Sequence, residues 1–198
     1  MKHLFLLVIF LIQLCAGIGN TFAQESAAVS RRSSVKLSVV YPSLLYSYEN
    51  KLTDKSTYEI QGGVMGGLVF RKYLADARET QFIFHPTIDF GYKTYYNIKK
   101  RAEKGKDTSD NSANFFGISL MNIIGEYRVG FLKHEGKKYK GDVFTSGYNL
   151  GIVPKWGMNR KLNRNFDFSL QIGPALTTDF ADMELSLYSH IGFSYIFR

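Results

Sequence analysis

The chain has little cysteine, little proline and, beyond its first two dozen residues, no long apolar run. Cys15 is the one cysteine among 198 residues. It follows Leu11 and Ile12, but Leu14 stands where a lipoprotein signal carries a small residue. If the leader is removed, no disulfide can staple the remainder, a common need of small exported domains. A closed, hydrogen-bonded sheet would meet that need. After Ala23 no apolar stretch approaches the roughly 20 residues that a membrane helix requires. Any membrane crossing would have to be a closed β-barrel, because open strands leave backbone groups unpaired in lipid. His3, His85, His134 and His190 are scattered without metal-ligand spacing, so neither a metal nor a cofactor is expected.

The start of the chain reads as an export signal. Lys2 and His3 form a short basic region, residues 4–14 are almost wholly apolar, and Thr21-Phe22-Ala23 gives a small-x-small cleavage site. Cutting after Ala23 divides the chain into a signal peptide (1–23), a short N-terminal lead (24–34) and one domain (35–198). The full chain carries 25 Lys+Arg against 17 Asp+Glu; loss of Lys2 leaves 24 against 17, or +7. Export argues against nucleic acid as the partner of that charge. The expected counter-surfaces are outer-membrane lipid and lipopolysaccharide phosphates, with the barrel-assembly machinery as the partner during insertion. Solvated loop charge is the simpler and preferred account of such an excess.

What the sequence does have is aromatic residues (16 Phe, 13 Tyr), 18 glycines and strict two-residue alternation. Phe166, Phe168, Leu170 and Ile172 alternate with Asp167, Ser169, Gln171 and Gly173. Met183, Leu185, Leu187, Ile191, Phe193, Tyr195 and Phe197 alternate with Glu184, Ser186, Tyr188, His190, Gly192 and Ser194. Similar patterns run through Tyr58 to Phe70, Phe82 to Tyr92, Phe116 to Leu120 and Phe144 to Trp156. Segments of this kind are the signature of a transmembrane barrel.

At Pro42 the phase slips: Val35, Leu37, Val39 and Tyr41 are apolar before it, Leu44, Tyr46 and Tyr48 after it. A turn there gives eight strands, a bulge gives seven. Single-chain bacterial barrels have even strand numbers, so the expectation is an all-β, eight-stranded antiparallel barrel. Links near Thr53, Lys104 and Leu162 would lie at the periplasmic end. Those at 72–80, 127–142 and 177–182 would lie outside. Pro42, Pro86, Pro154 and Pro174 all fall in or at the ends of strands, which a closed barrel with no free edge should resist.

Alternation alone does not say which face is outside. The polar face is rich in glycine and mixed charge, and an eight-stranded interior is just wide enough to be filled by side chains. The interior polar core is therefore expected to hold Lys36, Glu59, Asp89, Lys93, Lys155, Asp167, Glu184 and His190, with Glu49 on the same face. The aromatic-rich face then suits lipid and its interfacial girdles.

One stretch carries a resemblance. It begins Tyr95-Tyr96-Asn97-Ile98-Lys99-Lys100-Arg101, passes through Lys104-Gly105-Lys106 and reaches Asn111-Ser112-Ala113-Asn114-Phe115. Pro154-Lys155-Trp156-Gly157 and Arg160 follow further on. Together these resemble a group of uncharacterised outer-membrane β-barrel proteins of Bacteroidota-type bacteria. The resemblance implies the barrel fold and an outer-membrane location; it brings no activity and no functional residues. Within the block, Lys99, Lys100, Arg101, Lys104 and Lys106 are candidates for contact with an anion or a partner. Lys133, Lys137, Lys138 and Lys140, on an expected outer loop, are candidates for lipopolysaccharide phosphates.

For a lipid-modifying enzyme, His190 is the one histidine near serines in sequence. Ser189 points to the opposite face, and Ser194 lies four residues away, roughly 13 Å by strand rise. An interior hydrogen-bonded histidine is the expectation. The leading functional reading is thus a non-enzymatic outer-membrane barrel with a structural or interaction role. A narrow pore and a lipid-modifying enzyme are the alternatives.

Overall fold

Alternation that puts apolar residues on one side of every strand leaves the chain one economical solution: close the sheet on itself. The computed structural model describes residues 28–72, 78–134 and 137–197. The expected signal peptide, 1–23, lies outside the described residues. Eight strands form one closed antiparallel ring in sequence order, the architecture expected. They are β1 (Arg32–Ser38), β2 (Ser43–Lys51), β3 (Ser56–Lys72), β4 (Arg78–Thr94), β5 (Asn114–His134), β6 (Lys137–Lys161), β7 (Phe166–Thr178) and β8 (Met183–Phe197). The ring is closed by β1 against β8, from Ser33↔Phe197 to Ser38↔Gly192.

Pro42 lies in the turn between β1 and β2, so the phase slip is a turn and the strand count is eight. The other prolines are accommodated where ladders break. Pro86 faces outward at the register shift between Phe84 and Thr87 in the β4–β5 ladder. Pro154 and Pro174 face each other in a gap of the β6–β7 ladder, between the pairs Ile152↔Leu176 and Trp156↔Ile172. A residue with no N–H to give is tolerated where no bond is made. A second irregularity, between Ile124 and Glu126 on β5, holds Gly125 at φ 70°, the left-handed conformation of a glycine bulge.

Several expected boundaries shift. The barrel starts at Arg32, three residues before the expected Val35, because Arg32, Ser34 and Lys36 already alternate inward. The segments 72–80, 127–142 and 177–182 are not loops of that length. Strands β5 and β6 remain paired up to His134↔Lys137, and β7 and β8 up to Thr178↔Met183. Conversely, the link around Lys104 is not plain coil. It contains helix α1 (Ile98–Glu103) and a 3-10 turn at Ser109–Asn111. The helix is stopped by Gly105, whose φ of 64° lets its N–H reach Ala102 O at 2.8 Å while Lys106 N–H reaches Arg101 O at 3.0 Å.

The outward face is apolar on every strand. Leu37, Tyr46, Ile60, Phe90, Leu120, Tyr148, Ile172 and Phe193 all stand exposed on it. Aromatic pairs tile this face, including Phe166 on Tyr195 at 5.3 Å and Tyr96 on Phe116 at 5.2 Å. The inside is the polar face.

Candidate functional site

The lumen has three levels, and the residues of each follow from strand register. At the end where β1 begins and β8 ends, the α1 segment folds across the opening. Val29, Tyr95, Ile98, Ala113 and Phe115 form a fully buried cluster there, with the Tyr95 and Phe115 rings 5.4 Å apart. The Ser30 N–H donates to Asn111 Oδ1 at 2.7 Å, and Asn111 Nδ2 returns a bond to Ser30 O at 3.0 Å. These bonds tie the lead to the 3-10 turn, so this end of the barrel is capped.

Above the cap lies a buried ionic layer. Arg32 donates to Glu49 Oε2 at 2.9 Å, to Asp167 Oδ2 at 2.6 Å and to Asp110 O at 2.8 Å. Glu49 also accepts from Thr57 Oγ1 and from the Tyr95 hydroxyl, each at 2.6 Å. Lys93 pairs with Glu59 at 2.9 Å and Glu49 at 3.5 Å, and Lys36 pairs with Glu59. Lys155 stands over the Tyr188 ring at 5.2 Å. Asp89 accepts from Thr87 Oγ1 at 2.8 Å and Gln61 Nε2 at 3.2 Å. Among the described residues the buried charges are Arg32, Lys36, Lys93 and Lys155 against Glu49, Glu59, Asp89 and Asp167, which balance. Single charges in a lumen this narrow would be costly to desolvate, whereas a hydrogen-bonded, balanced network offsets that cost.

Seven of the eight residues expected inside are buried there: Lys36, Glu59, Asp89, Lys93, Lys155, Asp167 and His190. Glu184 is the correction. It shares the inward parity, but it sits near the tip of the β7–β8 hairpin, above the closed part of the ring, and is exposed. Arg32, the hub of the layer, escaped the sequence reading because Ser33 outside it breaks the apolar alternation. The partner of His190 also escaped. Its Nε2 lies 2.9 Å from Ser169 Oγ, a diagonal neighbour on β7 that becomes visible only once Gln171↔His190 and Ser169↔Gly192 set the register.

Above the ionic layer the lumen turns apolar. Met121, Val153 and Ala175 are buried together, with Met65, Ile123 and Tyr188 packed on them. Met65, Met121, Ala175 and Tyr188 of this group line a cavity of about 460 Å³ whose walls also include Leu45, Ile83, His85 and Ser186.

The two basic runs sit at opposite ends. Lys99, Lys100 and Arg101 are on α1, Lys104 is its C-cap, and Lys106 follows Gly105. Arg101 Nη2 donates to Asp107 O at 3.1 Å. Asp107 accepts from the Ser109 hydroxyl at 2.5 Å and the Ser109 N–H at 2.8 Å, which holds its carboxyl below the usual range. Lys106 borders a shallow groove of about 700 Å³ with Asp107, Asp110 and Lys161, so acidic groups share this surface. Lys133, Lys137, Lys138 and Lys140 lie on paired strands, not on a loop; Lys133 faces Lys138 across the β5–β6 hairpin. Asp179, at the opposite end from the cap, accepts from the Ala181 and Asp182 N–H groups and so shapes its turn.

The rim at that end is uneven. The β1–β2 hairpin is the lowest. Strand β8 continues past it through 183–190 with no β1 partner, and β3 continues past β2 through 67–72. Strand β6 has no β7 partner through 137–149 among the described residues. Strands β3 to β6 therefore rise as a four-stranded wall with a free edge on each side.

Neither family models nor curated protein sequences give a match to this chain. Solved structures with a similar chain path include CarO2 of Acinetobacter baumannii, at 5% identity and a TM-score of 0.44, over 86% of this chain and 99% of that one. They also include Ail, the attachment invasion locus protein of Yersinia pestis, at 9% identity and a TM-score of 0.37, over 87% of this chain and 97% of that one.

Proposed function

We propose that the protein is a small outer-membrane β-barrel that does not conduct and whose role is to hold a projecting β-wall at the membrane surface, as a structural or interaction protein. The observation that carries this reading is the pairing of a lumen closed in its lower half with a wall that has free edges. A closed ring with an apolar exterior has its backbone satisfied within the sheet, as a lipid-spanning structure requires. The buried cap and the ionic layer close the lower lumen, which disfavours a pore. The unpaired side of residues 137–149 is about 40 Å of strand by residue rise, a ready template for an extended partner segment. The capped end would face the periplasm and the wall the outside. Lysines 133, 137, 138 and 140 would then stand near lipopolysaccharide phosphates, and the α1 run near a periplasmic anion or partner. The uncharacterised Bacteroidota-type barrel family fits this reading.

A lipid-modifying enzyme has less support. The Ser169–His190 pair is buried in the lumen, away from the lipid face, and no carboxylate bonds His190 among the described residues. The test combines a denaturing gel with planar-bilayer recording. A band in the outer-membrane fraction that shifts between unboiled and boiled samples, with no steady conductance, is the expected result. Steady conductance would replace this reading with the pore. A soluble protein with no shift would overturn the membrane assignment itself.

A further inference from the structure

The cup above the ionic layer has the makings of a ligand site, and its entrance is lateral. At about 460 Å³ it falls within the roughly 300–1,000 Å³ of small-molecule pockets. Its lining is mainly apolar: Leu45, Met65, Ile83, Met121 and Ala175. The polar groups at its base are already engaged. Asp89 is held by Thr87 and Gln61, and His190 by Ser169. The buried charges beneath it balance. A guest therefore finds a mainly apolar surface, with the buried His85 Nδ1 left without a hydrogen-bond partner among the described residues.

The rim shows how a guest would arrive. Over the β1–β2 hairpin the wall is missing between β8 and β3, because residues 183–190 and 67–72 have no partner on that side among the described residues. Tyr41, Ser38 and Ser43 at the top of this hairpin line the cup, as do Gly66 and Gly67 on one flank and Ser186 on the other. The outside of the notch is apolar: Val39, Val40, Leu68, Phe70, Leu185 and Leu187 are all exposed. Bare strand edges are not tolerated deep in hydrocarbon, so the notch belongs at the level of the lipid interface. There the hydroxyls of Ser38, Ser43 and Ser186 would meet a polar head while the cup takes an apolar tail.

We infer that the upper lumen binds a neutral single-chain amphiphile that enters sideways through the notch over the β1–β2 hairpin, an inference that rests on the membrane-barrel reading above. A charged head would have to leave water without a partner charge, which costs affinity. Gly67 offers a clean test. A Cβ there would meet Ile83 Cβ at 4.0 Å and nothing closer, so a larger side chain enters the cup.

The experiment is native mass spectrometry of the full barrel, released from detergent after titration with monododecanoylglycerol or with dodecanoate. The expected result is saturable binding of one monododecanoylglycerol, with dodecanoate about tenfold weaker. Gly67→Phe should weaken monododecanoylglycerol about tenfold, and Ser186→Phe, on the exposed part of β8, serves if the first variant loses its heat shift. Unsaturable uptake, or equal uptake by a folded cup-filling variant, would overturn the site. Equal binding of dodecanoate would overturn its preference for a neutral head. A wild-type barrel that shifts on the gel yet binds nothing sinks this inference alone; loss of the shift in wild type sinks the membrane reading as well.

Discussion

The lower and upper halves of the lumen are built from the same eight strands, yet they solve different problems. Below, inward positions carry Arg32, Glu49, Glu59 and Lys93, which bond to one another and to Tyr95 over an apolar cap. Above, inward positions carry Leu45, Met65, Met121 and Ala175, which bond to nothing and leave space. Charges in a narrow lumen must be matched, so the lower half is closed and rigid. Apolar side chains make no such demand, so the upper half can stay open. One closed ring of strands thus yields a plug and a vessel on one axis.

That contrast can be broken most forcefully in the plug. Glu49→Ala would leave Arg32, Lys93 and the Tyr95 hydroxyl without their shared acceptor. Removing one partner of a buried ionic network costs about 3–5 kcal/mol, and the variant should unfold at much lower urea in lipid vesicles. Ile98→Ala opens the apolar cap, where Ile98 is fully buried. The expected cost is about 2–5 kcal/mol on the same measurement. If the cap instead proves dispensable, its residues act outside the fold.

Tyr95→Phe is a finer cut. It removes one hydroxyl that donates to Glu49 and accepts from Asn159 at 3.3 Å. A hydrogen bond to a charged group is worth about 1.5–3 kcal/mol, so a smaller but measurable drop in urea midpoint is expected. Lys140→Ala, on the exposed wall, should leave the midpoint unchanged. A drop comparable with Tyr95→Phe would mean that the wall supports the barrel rather than standing on it.

Much of the lower half was legible in the sequence. Period-two alternation placed Lys36, Glu59, Asp89, Lys93, Lys155, Asp167 and His190 on one face, and the mixed charge on that face pointed inward. Parity alone does not reveal height along the barrel, which is why Glu184 was expected inside. It lies on the correct face of β8, but above the level where neighbours enclose it. The cap was hidden for a different reason. Residues 95–115 break the alternation, so the segment read only as a link near Lys104, and burial of Ile98 against Val29 and Phe115 depends on a fold-back that no periodicity encodes. The part of the wall at 127–142 was read as a loop because the bulge at Gly125 interrupts the pattern on β5.

Arg32 also bears on how the ring is made. Seven of the eight ladders join strands adjacent in sequence, and each can zip as a local hairpin. The β1–β8 seam alone brings together the two ends of the domain, and loop closure makes such pairing slow. Arg32 sits on the seam strand, and its guanidinium reaches Glu49 on β2, Asp167 on β7 and the backbone of Asp110. Until the seam zips, that guanidinium lacks its β7 partner. Arg32 therefore works as a latch on the last step of assembly, gaining its full set of bonds only when the chain has come full circle.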